Sequence, residues 1–166
     1  MPLVKNGKLV RDAFVTVADD ETLPDAPALV SAERLLKEAD ALFARNQPVG
    51  VIWPNSKDVL DLAPFVDRLA VVALVFPKFR DGRAYTQARL LRERLGYKGE
   101  LRAIGNVLRD QFLLMVRCGF DALDVAKEAD AQAVEKELKT YSVFYQPTGD
   151  GRPTPLRARL AAARSV

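Results

Sequence analysis

The chain has 166 residues, 49% of them hydrophobic, and its 25 Lys and Arg against 22 Asp and Glu give a net charge of +3 and a pI near 9.1. That length suits one domain with a real core, and so mild a basic excess does not indicate a nucleic-acid partner. Histidine is absent and Cys118 is the only cysteine, which excludes a disulfide framework, a Cys/His zinc site, His-based triads and imidazole proton shuttles. No metal or cofactor is expected.

The opening MPLVKNGKLVRD lacks a long apolar segment of the signal-peptide kind, and no apolar run is long enough to cross a bilayer, so a cytoplasmic protein is expected. Asn6-Gly7 stands between two short apolar runs, the strongest local signal for a two-residue hairpin. This predicts a β-hairpin within residues 1–18, extended by AFVTVA. The acidic, proline-bearing DDETLPDAPAL reads as a connection across the surface. Ser31 is then a good N-cap for AERLLKEADALFARN, where Leu35, Ala39 and Leu42 keep a helical stripe.

An alternation follows. VGVIWP, LAVVALVFP, ELRAIG and FDALDV are short strand candidates. Each precedes a helical pattern: SKDVLDLAPFVDRL, AYTQARLLRERL, LRDQFLLMVRC and AQAVEKELKTYS. Gly96 and Gly119 each end a helix with an aromatic next, the pattern of a left-handed C-terminal cap. The predicted fold class is α/β, with four consecutive βα units of parallel strands over 31–140, half of a βα-barrel-like sheet, preceded by the N-terminal β-hairpin. Four strands cannot close a barrel, so an open sheet or pairing with a second copy as a homodimer must protect the edges. A flavodoxin-like doubly wound sheet is the alternative. Residues 1–145 form one domain, and 146–166, with four arginines and no acid after Asp150, form a basic, flexible tail. The sharper alternative for that tail is a short basic helix docking on a partner through Leu156, Leu160 and Ala163.

Ligands of parallel α/β sheets bind where the carboxyl ends of the strands meet loops and helix N-termini. The exits here carry Asn55, Ser56 and Lys57, then Lys78, Arg80, Asp81 and Arg83, then Asn106, Arg109 and Asp110, and last Ala126, Lys127 and Glu128. Arginines at the start of a helix oppose its dipole. Something negative should therefore lie beside Arg80 and Arg83, either Asp81 or a bound anion held by helix amides and arginine forks. The same tension recurs at Arg109 with Asp110. The bland alternative is a set of surface ion pairs and caps of small weight. Segment 78–109 holds nine basic and three acidic residues, and Arg89, Arg92 and Arg94 read as a solvated helix face. RDGR at 80–83 and GDGR at 149–152 are too short for phosphate loops, and no GxGxxG or GxxxxGK[ST] occurs. Cys118 reads as a packing cysteine and Trp53 as core. The candidate anion- or partner-binding set is Lys78, Arg80, Asp81, Arg83, Asn106, Arg109 and Asp110, with no catalytic residue assigned.

FPKFRDGRAYTQARLLRERLGYKGELRAIGNVLRDQF, followed by RCGFDAL, resembles the bacterial family known as domain of unknown function 934. The match is specific from Phe76 to Phe112 and looser over most of residues 1–145. Its motif positions, among them Arg80, Asp81, Gly82, Arg83, Gly96, Tyr97, Gly105 and Asp110, fall on the loops selected above. The resemblance implies a place beside assimilatory sulfite reductase, in cysteine biosynthesis, under a label of oxidoreductase. Lacking histidine, a second cysteine and a dinucleotide loop, the chain fits an accessory role in sulfite or sulfate reduction better than redox catalysis alone. Its partner would be the reductase or another sulfur-assimilation enzyme, or an oxyanion such as sulfite, sulfate or phosphate. A barrel-type enzyme acting on a small anion and a purely structural interaction module are the alternatives.

Overall fold

Asn6 and Gly7 take φ values of 51° and 77°, the left-handed pair that a tight hairpin requires, and they join β1 (Leu3–Lys5) to β2 (Lys8–Val10). In the computed structural model, which describes residues 2–141, 143–148 and 152–164, β1 also pairs antiparallel with β8 (Ala122–Asp124). Gly149, Asp150 and Gly151 of the GDGR stretch lie outside the described residues. From β8 the sheet continues through β7 (Glu100–Gly105), β6 (Val71–Phe76), β5 (Val49–Trp53) and β4 (Ala28–Ser31) to β3 (Val15–Thr16), all parallel. The order is β2-β1-β8-β7-β6-β5-β4-β3. Parallel strands that neighbour one another in chain order never reverse direction across the sheet, which rules out the doubly wound alternative.

Several expectations are corrected. Six strands run parallel, not four, because Ala28–Ser31 at the end of the acidic connection is itself a buried strand. Val15–Thr16 does not extend the hairpin but pairs with β4 at the opposite edge. The helix expected after β5 is a short 3-10 turn, Val59–Leu62, capped by Asp58 through the Leu60 amide at 2.9 Å; Pro64, which has no amide hydrogen, bars its continuation as an α-helix. The remaining helices are α1 (Ala32–Phe43), α2 (Arg83–Arg89), α3 (Phe112–Arg117), α4 (Glu128–Leu138) and α5 (Pro155–Ala163). Ser31 caps α1 by accepting the Arg34 amide at 3.0 Å. Ahead of α5, Phe144 and Gln146 lie against α3. Arg117 donates to Gln146 O at 2.6 Å and lies 4.0 Å over the Phe144 ring.

The helices α1 to α4 cover one face of the sheet. Leu35, Leu42, Ala84, Leu91, Phe112, Met115 and Val134 from the helices join Val30, Val51, Trp53, Leu74, Leu101 and Leu123 from the strands in one buried core. Among the described residues the other face is covered by no helix. There Leu29, Val71 and Ala73 are buried with Phe14, Ile52 and Ile104 packed against them. A four-residue strap, 11–14, covers it while running from β2 to β3, the two outermost strands. Five peptide steps reach at most about 18 Å, whereas the edges of a flat eight-stranded sheet stand about 34 Å apart. The sheet is therefore curled, with the helices outside. Arg102, 4% exposed on the inner face, anchors the strap by pairing with Asp12 at 2.6 and 3.1 Å and with Glu100 at 2.9 Å. Lys5 completes the row by pairing with Glu100 at 2.8 Å.

A second arginine fastens the opposite side. Residues Leu90–Arg94 form a π turn continuing α2, with the Leu95 amide reaching back to Leu90 O. This turn directs Arg92 inward, contrary to the expected solvated face. Its Nε donates to Gly119 O at 3.0 Å and its Nη1 to Tyr97 O and Gly99 O at 2.7 and 2.9 Å, while Nη2 pairs with the Asp121 carboxylate. Asp121 also accepts the Leu101 amide at 2.9 Å. One side chain thus satisfies both glycine turns, whose Gly96 and Gly119 have φ of 66° and 105° as the capping pattern predicts.

Arg92→Ala leaves these carbonyls and a carboxylate without their donor, and should cost about 3 kcal/mol of unfolding free energy. Arg89→Ala, which removes only an exposed pair with Glu93, should cost less than about 1 kcal/mol. Urea denaturation of both variants checks the contrast.

Asp124 supplies a pH dependence. Burial raises its carboxyl above the ordinary 3.8, and its Oδ1 has no hydrogen-bond partner. The folded chain then holds the proton more tightly than the unfolded chain. Stability contributed by the protonated form is present below the unfolded pKa and is lost as pH rises through the folded one. Asp124→Asn should remove that slope and raise the melting temperature at neutral pH, as thermal melts from acid to neutral conditions would read directly.

Candidate functional site

β5, β6 and β7 end side by side, with Trp53 opposite Leu74 and Phe76 opposite Gly105. Their exit loops are tied together by buried hydrogen bonds. Gln87 of α2, 6% exposed, donates to Pro54 O at 3.2 Å and Lys57 O at 2.9 Å, holding the first loop against the helix that follows the second. The Asn106 amide donates to Phe76 O at 2.7 Å, joining the second loop to the third. Gly105 makes that approach possible: its φ is 92°, and a Cβ there would lie 2.6 Å from Phe76 O. The pair Gly105-Asn106 thus forms a tight turn.

Within the second loop the Asp81 amide donates to Lys78 O at 3.0 Å, closing a four-residue turn with Phe79 and Arg80 at its corner. Asp81 takes the Arg83 guanidinium in a two-pronged pair, at 2.9 and 2.7 Å, and also accepts the Arg83 amide at 3.4 Å. That guanidinium holds the Asp81 carboxyl well below the usual carboxylate range. The negative charge required beside the helix start is supplied from within the loop.

Lys78 and Arg80 are exposed and have no ion-pair partner among the described residues. Between them Phe79 is 54% exposed. Phe79 lies inside the stretch from Phe76 to Phe112 that carries the resemblance, but sequence reasoning gave it no role; an apolar residue between two cations, directly after a buried strand, was the available signal. Phe79 and Arg80 sit on a turn whose base is fixed by α2 and by its neighbouring loops.

The third loop does not repeat the second. Arg109 pairs with Glu137 of α4 at 3.6 Å rather than with Asp110, and Asp110 is exposed. The fourth exit, Ala126 to Glu128, is exposed as well. Tyr85 packs edge-on against Phe76, with ring centroids 5.0 Å apart. Burial pushes its phenol up to about 12, so it stays protonated near neutral pH. Trp53 and Cys118 are buried, as their sequence context implied. A groove of about 420 Å³ is lined by Thr86, Arg89, Leu90, Glu93 and Arg94, with no residue from the exit loops. Among the described residues no group of three or more Cys, Asp or Glu could hold a metal ion, and no helix is long and apolar enough to cross a membrane.

A search of curated proteins finds no match. The profile of a family described as bacterial protein of unknown function (DUF934) matches residues 50–156. That stretch contains all three joined loops and the turn that presents Phe79. It spans more than half of the chain, and the protein belongs to this family of bacterial proteins of unknown function.

Proposed function

We propose that this protein is a docking accessory of sulfite reduction, seating the Lys78–Arg83 turn on an acidic surface of the assimilatory reductase. The observation that carries the reading is Phe79, more than half exposed at the corner of a braced turn and flanked by two cations without ion-pair partners among the described residues. An aromatic residue in that position offers a large apolar contact with little rotamer entropy to lose, and Lys78 and Arg80 would steer an acidic partner toward it. The reductase as partner comes from the sequence resemblance; the acidic chemistry comes from the turn.

A small oxyanion is the second reading, favoured by the same unpaired Lys78 and Arg80. It is weakened by Asp81, whose carboxylate already occupies the Arg83 fork and would repel an anion.

Isothermal titration of the protein with purified reductase tests the proposal. Phe79→Ala and Arg80→Glu should each weaken binding at least about tenfold, added salt should weaken it further, and melting temperatures should stay unchanged because neither side chain packs in the core. Absence of binding by the wild type would overturn the reading. A melting temperature that rises with sulfite or sulfate at constant ionic strength, and no longer does so in Arg80→Ala, would favour the oxyanion instead.

A further inference from the structure

Helix α5 carries its own start signals. Thr154 Oγ1 accepts the Arg157 amide at 3.4 Å and Pro155 fills the first helical position, both favourable at an N-terminus. Nine residues are nonetheless too few to hold a helix in water by propensity alone. None of them is buried in its own chain, and Leu156 and Leu160 are 68% and 52% exposed. At about 100° per residue, Leu156, Leu160 and Ala163 fall on one narrow stripe. Arg159 runs along one flank and Arg157 with Arg164 along the other. The surface that fits such a helix is an apolar groove with carboxylates on its rim.

The fold contains one. The hairpin turn approaches α4 so closely that a Cβ on Gly7 would lie 3.6 Å from Leu138 Cδ1 and 3.7 Å from the Glu135 Cα. Beside that contact, Gly7, Lys8, Leu9, Glu128, Ala131, Gln132 and Glu135 line a groove of about 310 Å³. Leu9 pairs with Val4, a residue of the helix-covered core. It therefore projects toward α4, yet stays 51% exposed. Glu128 and Glu135 stand about two helical turns apart on the rim. Glu135 pairs with the exposed Lys139 at 2.7 Å and also feels the charge of Lys8, which lines the same groove; both are point charges that an arginine fork can displace. The groove beside α3 suits α5 less well, since its lining offers Asp110 as a single carboxylate against Glu128 and Glu135 here.

We propose that α5 of one copy lies in the groove between the hairpin and α4 of a second copy, and that the exchange is reciprocal. Because each copy both gives and receives α5 within the same pair, two copies close on themselves around a two-fold axis and no further copy is recruited. Leu156 and Leu160 cover Leu9, while Arg157 and Arg164, two turns apart on one flank, meet Glu135 and Glu128.

Sedimentation of the full chain alone, with no other protein present, tests this independently of the reductase. The wild type should be dimeric at micromolar concentration. Leu160→Asp should be monomeric with an unchanged circular dichroism spectrum. Arg157→Glu and Glu135→Arg should each weaken the dimer at least tenfold and restore it when combined. Cysteines introduced as Leu160→Cys with Gln132→Cys should oxidise to a covalent dimer, the native Cys118 being buried. A monomeric wild type, a Leu160→Asp variant that stays dimeric, or a cross-link closed within one chain would each overturn the proposal.

Discussion

Four residues joining the two outermost strands of an eight-stranded sheet impose a closure that the rest of the molecule must respect. The strap 11–14 cannot reach from β2 to β3 unless the sheet curls, and the curl decides which side chains are inside. It turns Val71, Ala73 and Leu29 into a small inner core without any covering helix, and leaves the outer face to α1 through α4. Arg102 makes the closure specific rather than merely compact. Its guanidinium, nearly excluded from water, holds Asp12 of the strap and Glu100 of its own strand. Removal from water alone would lower the Arg102 pKa, but the two carboxylates outweigh that and raise it. A buried ion network of this kind adds little net stability compared with apolar packing, and its value here is positional.

The two ends of the sheet divide the labour. At the end where β7 and β8 begin, Arg92 collects the carbonyls of both glycine turns, so the helices return to the sheet at a fixed height. At the end where β5, β6 and β7 finish, Gln87 and the Asn106 amide bind the three exit loops to one another. The first set of contacts is inward and leaves Arg92 little free surface; the second braces a loop whose tip stays in water. That contrast separates arginines that build the fold from those available to a partner, although all of them come from one basic segment of the sequence.

Much of this was legible in the sequence. Asn6-Gly7, the uninterrupted apolar run of β6, the two glycine helix exits and Ser31 as a cap each rest on a local physical requirement, and each holds. The misses share another cause. Ala28–Ser31 is a strand because of its neighbours in the sheet, and a four-residue segment carries too little periodicity to announce itself; Val15–Thr16 is β structure as AFVTVA suggests, but its partner is β4 and not the hairpin. Arg92 looked like surface because helical spacing of 3.6 was assumed through a turn that is wound as π. Arg109 and Asp110 looked like a repeat of Arg80 and Asp81, but the pairing is set by α4, which lies distant in sequence. The Lys78–Arg83 loop was found because charge directly after a buried strand is anomalous at the level of sequence; Phe79 was passed over because a single exposed aromatic is ordinary until its surroundings are known.

The pairing of β1 with β8 has a consequence for how the chain acquires its structure. Strand β1 finds its neighbour β8 only when residues 122–124 have been made, and the Lys5–Glu100 bridge spans 95 positions. Until then the hairpin is an unsupported two-stranded ribbon, marginal in water by itself. Contacts so distant along the chain make the closing step slow, and Lys5 and Lys8 put on the hairpin strands the kind of charge that disfavours pairing of an open edge with another chain.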